Sequence, residues 1–339
     1  MTEQTLPLEI AKAGVELFFS ENDSRHIRFY GPGEPTQEVE LMKKIVNYAR
    51  QLAGEQVTVE LQTNGVFNEQ DRLWLLNNIN IFWVSFDGEP KFHDAQRHFP
   101  DGSPTSPFVE KNVKWLLEHE TNQNFTVGAR VTITNENINR QKEMVDYFSS
   151  LGITYIWSDP LFPCVGTVPA NRDEEKMSSF EFDMDRYVST YIEASMYANE
   201  KGVFYGSFLT CNFDGKTNKH CRACTPVPHF TPDGYISACD LVTFGENAHH
   251  MDCFVYGKWN SEKKKFDIFE DKLEALRKRT TNNMDHCKKC SAQEHCGGYC
   301  LGEVVNETGD LLGQKPITCV AIRKLLKELG ISKLPYPYM

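Results

Sequence analysis

The sequence predicts an α/β fold built on a parallel sheet, followed by a smaller cysteine-rich α+β module. Two observations predict it. Helical and strand periodicities alternate from residue 6 to residue 159, and all eleven cysteines lie at or after Cys164. A chain of 339 residues has room for one large domain and a smaller one.

The elements follow in order. Leu6, Ile10, Ala13, Leu17 and Phe18 recur at helical spacing and predict an amphipathic helix over 6–19. Ile27 to Tyr30 is a short strand ending in Gly31-Pro32-Gly33-Glu34-Pro35. Val39, Met42, Ile45, Val46 and Ala49 share one face of a helix over 39–52. Strands at 57–62 and 81–86 close on Asn64-Gly65 and Asp87-Gly88, with a helix at 69–76 between them. A helix at 106–119, a strand at 125–134, a helix at 139–151 and a strand at 155–159 follow. Strands alternating with helices imply parallel pairing through right-handed crossovers, with ligands bound at the C-terminal strand ends. Such a fold normally opens on a strand, so one strand is expected ahead of the first helix. Residues 178–202 read as helical, and 257–284 as a charged, solvated hairpin or helix.

Hydrophobic residues at 40% support a buried core, and the net charge of −11 argues against nucleic acid or an anionic membrane as partner. Met1 to Ile10 carries acidic residues and no basic stretch before an apolar run, which is unlike a signal peptide. A cytoplasmic location is expected, where cysteines stay reduced.

The cysteines fall into Cys221-x2-Cys224 with Gly234-x4-Cys239, and Cys287-x2-Cys290-x5-Cys296-x3-Cys300 followed by Cys319. Short intervals let several thiolates converge on one inorganic centre, and Gly234, Gly297 and Gly298 allow close backbone approach. Thiolates ligate zinc and iron–sulfur clusters alike. Two zinc sites are one reading; the second run is unlike the paired knuckles of a zinc ribbon, which favours iron–sulfur. Cys164, Cys211 and Cys253 read as ordinary cysteines.

This arrangement resembles the SPASM domain that follows many radical S-adenosylmethionine (SAM) barrels. The resemblance implies one [4Fe–4S] cluster on Cys221, Cys224, Cys239 and Cys300, and another on Cys287, Cys290, Cys296 and Cys319. The N-terminal half is similar to the radical SAM partial (β/α)6, TIM-like barrel, with its first strand missing. Gly31, Gly33, Glu34 and Pro35 match its GGEP turn, Thr63 and Asn64 its TNG turn, and Ser85 and Asp87 its S-x-D-G strand end. By that resemblance these residues face SAM, and Arg130 pairs with the SAM carboxylate; an ion pair within the protein is the other reading of Arg130. The implied organisation is a barrel core at 1–165, a helical linker at 166–203 and a SPASM domain at 204–339.

The departure lies in the catalytic cluster. Radical SAM enzymes bind it through C-x3-C-x2-C after the first strand, whereas residues 1–163 contain no cysteine. Either that segment precedes the sequence, or the protein is a pseudoenzyme that binds a peptide without cleaving SAM. The resemblance implies a peptide- or protein-modifying oxidoreductase using 5′-deoxyadenosyl-radical hydrogen abstraction. Its cofactors are two auxiliary clusters, with SAM and a third cluster where the missing segment is present. It implies an electron donor such as flavodoxin or ferredoxin, and Asp240, beside Cys239, as general base. Asp159 and Tyr235 are further candidates for the same cavity.

Overall fold

The structure is a computed structural model that describes residues 5–31, 33–119, 125–162 and 181–331. The described residues form two compact units: one within 24–161 and 185–207, the other within 5–23, 181–184 and 208–331 together with residue 162.

The chain begins with helix α1 (Leu8–Glu21), which belongs to the second unit. The first unit then runs β1 (His26–Phe29), α2 (Val39–Ala53), β2 (Thr58–Thr63), α3 (Arg72–Asn78), β3 (Ile81–Ser85), α4 (Pro90–Gln96), α5 (Ser106–Glu118) and β4 (Thr126–Ile133). It continues with α6 (Gln141–Ser150), β5 (Tyr155–Pro160), α7 (Met184–Glu200) and β6 (Phe204–Gly206). The six strands lie in sequence order and every neighbouring pair is parallel. When each crossover steps the same way with the same hand, the helices all pack on one face of the sheet. The alternation of side chains agrees. Val59, Leu61, Phe82, Val84, Ala129, Ile133 and Ile156 lie on one face and have no exposed surface. The opposite face carries His26, Arg28, Glu60, Gln62, Trp83, Ser85, Arg130, Thr132, Trp157 and Asp159. The register sets Arg28 beside Glu60, Gln62 beside Trp83, Arg130 between Ser85 and Trp157, and Thr132 beside Asp159. A sheet with helices over one face and charged side chains over the other is the wall of a partial TIM-like barrel, whose inner face lines a cavity.

In the second unit, β7 (His229–Phe230), β8 (Tyr235–Ser237), β9 (Val255–Asn260) and β10 (Lys265–Ile268) form an antiparallel sheet in the order β10-β9-β8-β7. Helices α8 (Glu270–Arg277), α9 (Gln293–Cys296), α10 (Leu301–Thr308) and α11 (Pro316–Leu329) follow. The charged stretch at 257–284 is thus both a hairpin and a helix. Ile10 of α1 shares a core with Ile236, Met251, Phe254, Val255, Phe266, Leu276 and Leu301. A Cβ on Gly14 would come within 2.7 Å of the Phe230 ring, so α1 lies tight against this unit.

These contacts draw the division differently from the boundaries read in sequence. The first helix, expected with the barrel, packs in the cysteine-rich unit. The described end of the expected linker, together with Phe204–Gly206, supplies the last helix and sixth strand of the sheet. No helix among the described residues is long and apolar enough to cross a membrane.

Candidate functional site

The turns at the strand ends are tied together by Glu34. Its Oε1 accepts from Thr36 N at 3.0 Å, Thr36 Oγ1 at 2.6 Å and Thr63 Oγ1 at 2.8 Å, and its Oε2 accepts from Asn64 N at 2.7 Å. One carboxylate therefore joins the turn after β1 to the turn after β2. The second turn is clamped again from the helical layer: Asn112 Nδ2 donates to Gly65 O at 2.8 Å and Phe67 O at 3.1 Å, while Arg72 Nε donates to Asn112 Oδ1 at 2.9 Å. Asn64 Oδ1 accepts from Val66 N at 2.8 Å. Gly31, Gly33 and Pro35 stand in the first turn, and among the described residues beyond the chain neighbours no atom lies within 4 Å of a Cβ built on either glycine. The turn thus leaves its backbone open on that side. Pro32 lies outside the described residues.

Two of the expected cofactor contacts are engaged inside the protein. Asp87 has no exposed surface; its Oδ1 accepts from Thr132 N at 2.7 Å and its Oδ2 from Arg97 Nε at 2.6 Å. A carboxylate with one oxygen on a strand amide and the other on a guanidinium is holding the chain, not facing a ligand. Arg130 pairs through Nη2 with Asp159 Oδ2 at 3.2 Å and lies over the Trp157 ring, 5.5 Å from its centre. The ion pair within the protein is the reading of Arg130 that its geometry supports. Asp159 also accepts from Trp157 Nε1 at 2.6 Å and from Ser207 Oγ at 3.1 Å. Ser85 is half-buried on the same face as Arg130. The polar inner face of Arg28, Glu60, Gln62, Trp83 and Trp157 was not singled out in the sequence, although the alternation within each strand carried it.

The cysteines converge as two sets of four. Cys221, Cys224, Cys239 and Cys300 lie within electrostatic reach of one another: the charge on Cys221 is felt from the other three, and that on Cys239 from Cys300. The Cys221 and Cys224 thiols share a hydrogen bond. It pushes Cys221 well up and brings Cys224 down to about 6, helped by the charge of Arg279. Burial pushes Cys239 well up and Cys300 to about 12. Cys287, Cys290, Cys296 and Cys319 line one cavity together with Gly298, Gln314, Ile322 and Arg323. Burial raises Cys287 to about 11 and Cys296 to about 12. Gln314 Nε2 donates to Cys319 Sγ at 3.7 Å and Arg323 Nη1 to Cys290 Sγ at 4.0 Å. Among the described residues no three His, Cys, Asp or Glu side chains meet at a point suited to a single metal ion.

The turn Cys296-Gly297-Gly298-Tyr299-Cys300 joins the sets, giving one cysteine to each. Its glycines have positive φ, 62° and 89°, and Tyr299 follows at 66°. A Cβ on Gly297 would lie 2.3 Å from the Lys219 carbonyl carbon, and one on Gly298 would lie 2.2 Å from Arg279 Nη1. These glycines make room for protein groups. His220, buried beside Cys221, donates from Nδ1 to Cys296 O at 3.0 Å, and burial lowers its pKa to about 4. Neither Arg279 nor His220 was picked out by sequence.

Asp240 is half-buried, and its charge reaches both Cys239 and Cys300. Tyr235 lies in β8 with Lys258 Nζ 4.7 Å from its ring centre. Cys211 is buried with its Sγ 3.7 Å from the His220 ring nitrogens, and burial raises Cys253 to about 11. Cys164 lies outside the described residues. A further open groove, about 350 Å³ and lined by Gln141, Lys142, Asp146, Thr190 and Tyr197, lies along α6 and α7.

No protein-family model matches the sequence, and no curated protein matches it. Solved structures do. Native anSMEcpe with bound AdoMet aligns with a TM-score of 0.70 at 16% identity, over 97% of this chain and 89% of that one. Native anSMEcpe with bound AdoMet and Cp18Cys peptide aligns at 0.71 and 17% identity, over 95% of this chain and 89% of that one. Streptococcus suis SuiB bound to precursor peptide SuiA aligns at 0.59 and 14% identity, over 91% of this chain and 69% of that one.

Proposed function

We propose, from a fold shared with radical SAM/SPASM proteins, that this chain takes part in the oxidative modification of a peptide or protein by radical SAM chemistry. Its inner barrel face and strand-end turns would receive SAM and substrate. Its two cysteine sets would hold auxiliary [4Fe–4S] clusters, on Cys221, Cys224, Cys239 and Cys300 and on Cys287, Cys290, Cys296 and Cys319. The segment from about residue 204 onward forms the auxiliary-cluster domain in this reading. The observation that carries it is the gathering of eight cysteines into two sets of four. Solved neighbours with AdoMet and with peptides support the choice of ligands.

SAM, if bound, would supply one-electron chemistry that ends in hydrogen-atom abstraction from a substrate carbon. The chain's own contributions are more specific. The turn after β1 offers open backbone to SAM, held in place by Glu34. Arg130 and Asp159 set a paired charge on the inner face. Asp240, beside Cys239 in the chain, would accept a substrate proton in this reading. Eight thiolates would suffice to ligate two four-iron clusters fully, and such clusters would be suited to passing electrons. A small electron carrier such as a flavodoxin or ferredoxin would supply the reducing equivalent.

One observation favours a second reading, in which the chain binds a peptide without cleaving SAM: residues 1–163 contain no cysteine for the SAM cluster. Anaerobic reconstitution followed by iron, sulfide and EPR measurement tests what the two readings share. About eight iron atoms per chain are expected; stoichiometric zinc with little iron would overturn both. Placing a segment that carries C-x3-C-x2-C ahead of the chain, reconstituting it and assaying 5′-deoxyadenosine under a one-electron reductant then separates them. Its formation supports the first reading, and peptide binding without its formation overturns that reading in favour of the second.

A further inference from the structure

Arg279 is the largest side chain in the described part of the protein with essentially no exposed surface. Its guanidinium donates from Nε to Leu311 O at 3.0 Å, from Nη1 to Gly297 O at 3.1 Å and from Nη2 to Gly298 O at 2.7 Å. All three acceptors are neutral carbonyls, and among the described residues no carboxylate pairs with it. Burying a cation without a counter-charge is unfavourable. The two glycines whose carbonyls it holds are flanked by Cys296 and Cys300, one cysteine of each set of four, so the guanidinium is fixed at the turn where the two sets meet.

Gly297 and Gly298 lie in the turn that gives Cys296 to one set and Cys300 to the other. Arg279 grips both of their carbonyls, and only glycine leaves room for its fork at position 298. The residue thus stands between the sets in position.

We propose that Arg279 is a positioning residue that supplies a fixed positive charge shared by the two clusters and pins the turn carrying a ligand of each. The proposal rests on the cluster reading above. A four-iron centre with four thiolates is an anion that gains a further negative charge on reduction. A nearby fixed cation therefore favours the reduced state.

The test uses the full chain, reconstituted anaerobically, as wild type, Arg279→Lys and Arg279→Gln. Iron per chain is measured, and both clusters are titrated potentiometrically with EPR detection. Arg279→Gln is expected to shift the one-electron reduction equilibrium of at least one cluster about tenfold toward the oxidised form, about 59 mV more negative. Arg279→Lys keeps the charge and is expected to stay close to wild type in potential while losing some iron, since an ammonium cannot span three carbonyls. If Arg279→Gln holds too little iron to titrate while Arg279→Lys holds it, the charge is needed for cluster retention and the proposal stands. Arg279→Gln with wild-type iron and potentials would overturn it. So would equal iron loss in both variants, which would leave the residue a purely structural clamp. A wild-type chain that takes up no iron overturns the cluster reading itself, a result readable before either variant is made.

Discussion

Asp87 and His93 are both fully buried, and their hydrogen bonds determine each other's state. Asp87 N donates to His93 Nδ1 at 3.2 Å, so that nitrogen carries no proton. His93 Nε2 then donates to Thr105 Oγ1 at 3.0 Å, and the Thr105 hydroxyl passes the chain on to Arg97 O. Arg97 closes the loop on Asp87. The expectation that Asp87 faces SAM rests on its match to the S-x-D-G strand end of the resembled family. The sequence could not show that the strand beside it offers the Thr132 amide. The pH dependence follows from His93. Burial lowers its pKa below the ordinary 6.5, with the charge of Arg97 acting the same way and Asp87, Asp94 and Glu110 opposing. A depressed folded-state value means the unfolded chain binds the proton first. The contribution is fully present above about pH 6.5 and is lost as pH falls below it. Urea unfolding between about pH 7 and pH 5 should therefore show a loss of stability that is smaller in His93→Gln. An identical pH slope in the variant would mean that His93 is not the group responsible.

At the scale of elements, most of the first unit was legible. Period-two alternation and strand-end turns located the five strands read from sequence to within a residue or two, and alternating helices made the sheet parallel. Why the helices lie on one face follows from the strand order, which the sequence constrains only through the rule for crossovers. The membership of α1 and α7 was not legible. An amphipathic pattern says that a face is buried and says nothing of what buries it. Gly128 shows how tightly the inner face is built. A Cβ there would lie 2.4 Å from Trp83 Cζ3, and Trp83 meets Trp157 edge-on with ring centres 6.3 Å apart. Moving the first indole disturbs the second, against which Arg130 lies. Gly128→Ala is expected to cost about 1–3 kcal/mol in urea unfolding and to change the near-ultraviolet dichroism of the indoles. A wild-type midpoint and spectrum would show that the Trp83 ring has room to move aside.

For the molecule as a whole, the spacing of the cysteines announced an inorganic centre, while their pairing into sets came from a family pattern. In the structure Cys221, Cys224, Cys239 and Cys300 lie within electrostatic reach of one another, and Cys287, Cys290, Cys296 and Cys319 line one cavity. What the sequence hid was the group between them. Arg279 sits in a charged stretch whose composition reads as solvated surface, and only the course of the backbone buries it. The consequence concerns stability. In the second unit, short strands and small helices surround buried thiols and a buried cation, and thiolate–iron bonds would join segments far apart in sequence. Where a metal site forms only in the folded state, its binding energy is folding energy. The first unit has a continuous apolar face beneath its helices and no cysteine among its described residues. Removing iron should therefore act on one unit far more than the other. Hydrogen exchange of reconstituted and chelator-stripped protein tests this directly. Amides of β8, β9, α10 and α11 should lose protection on stripping, while those of β2 to β5 keep theirs. Equal loss in both units would mean that the barrel depends on the clusters as well, and that the protein unfolds as one cooperative body.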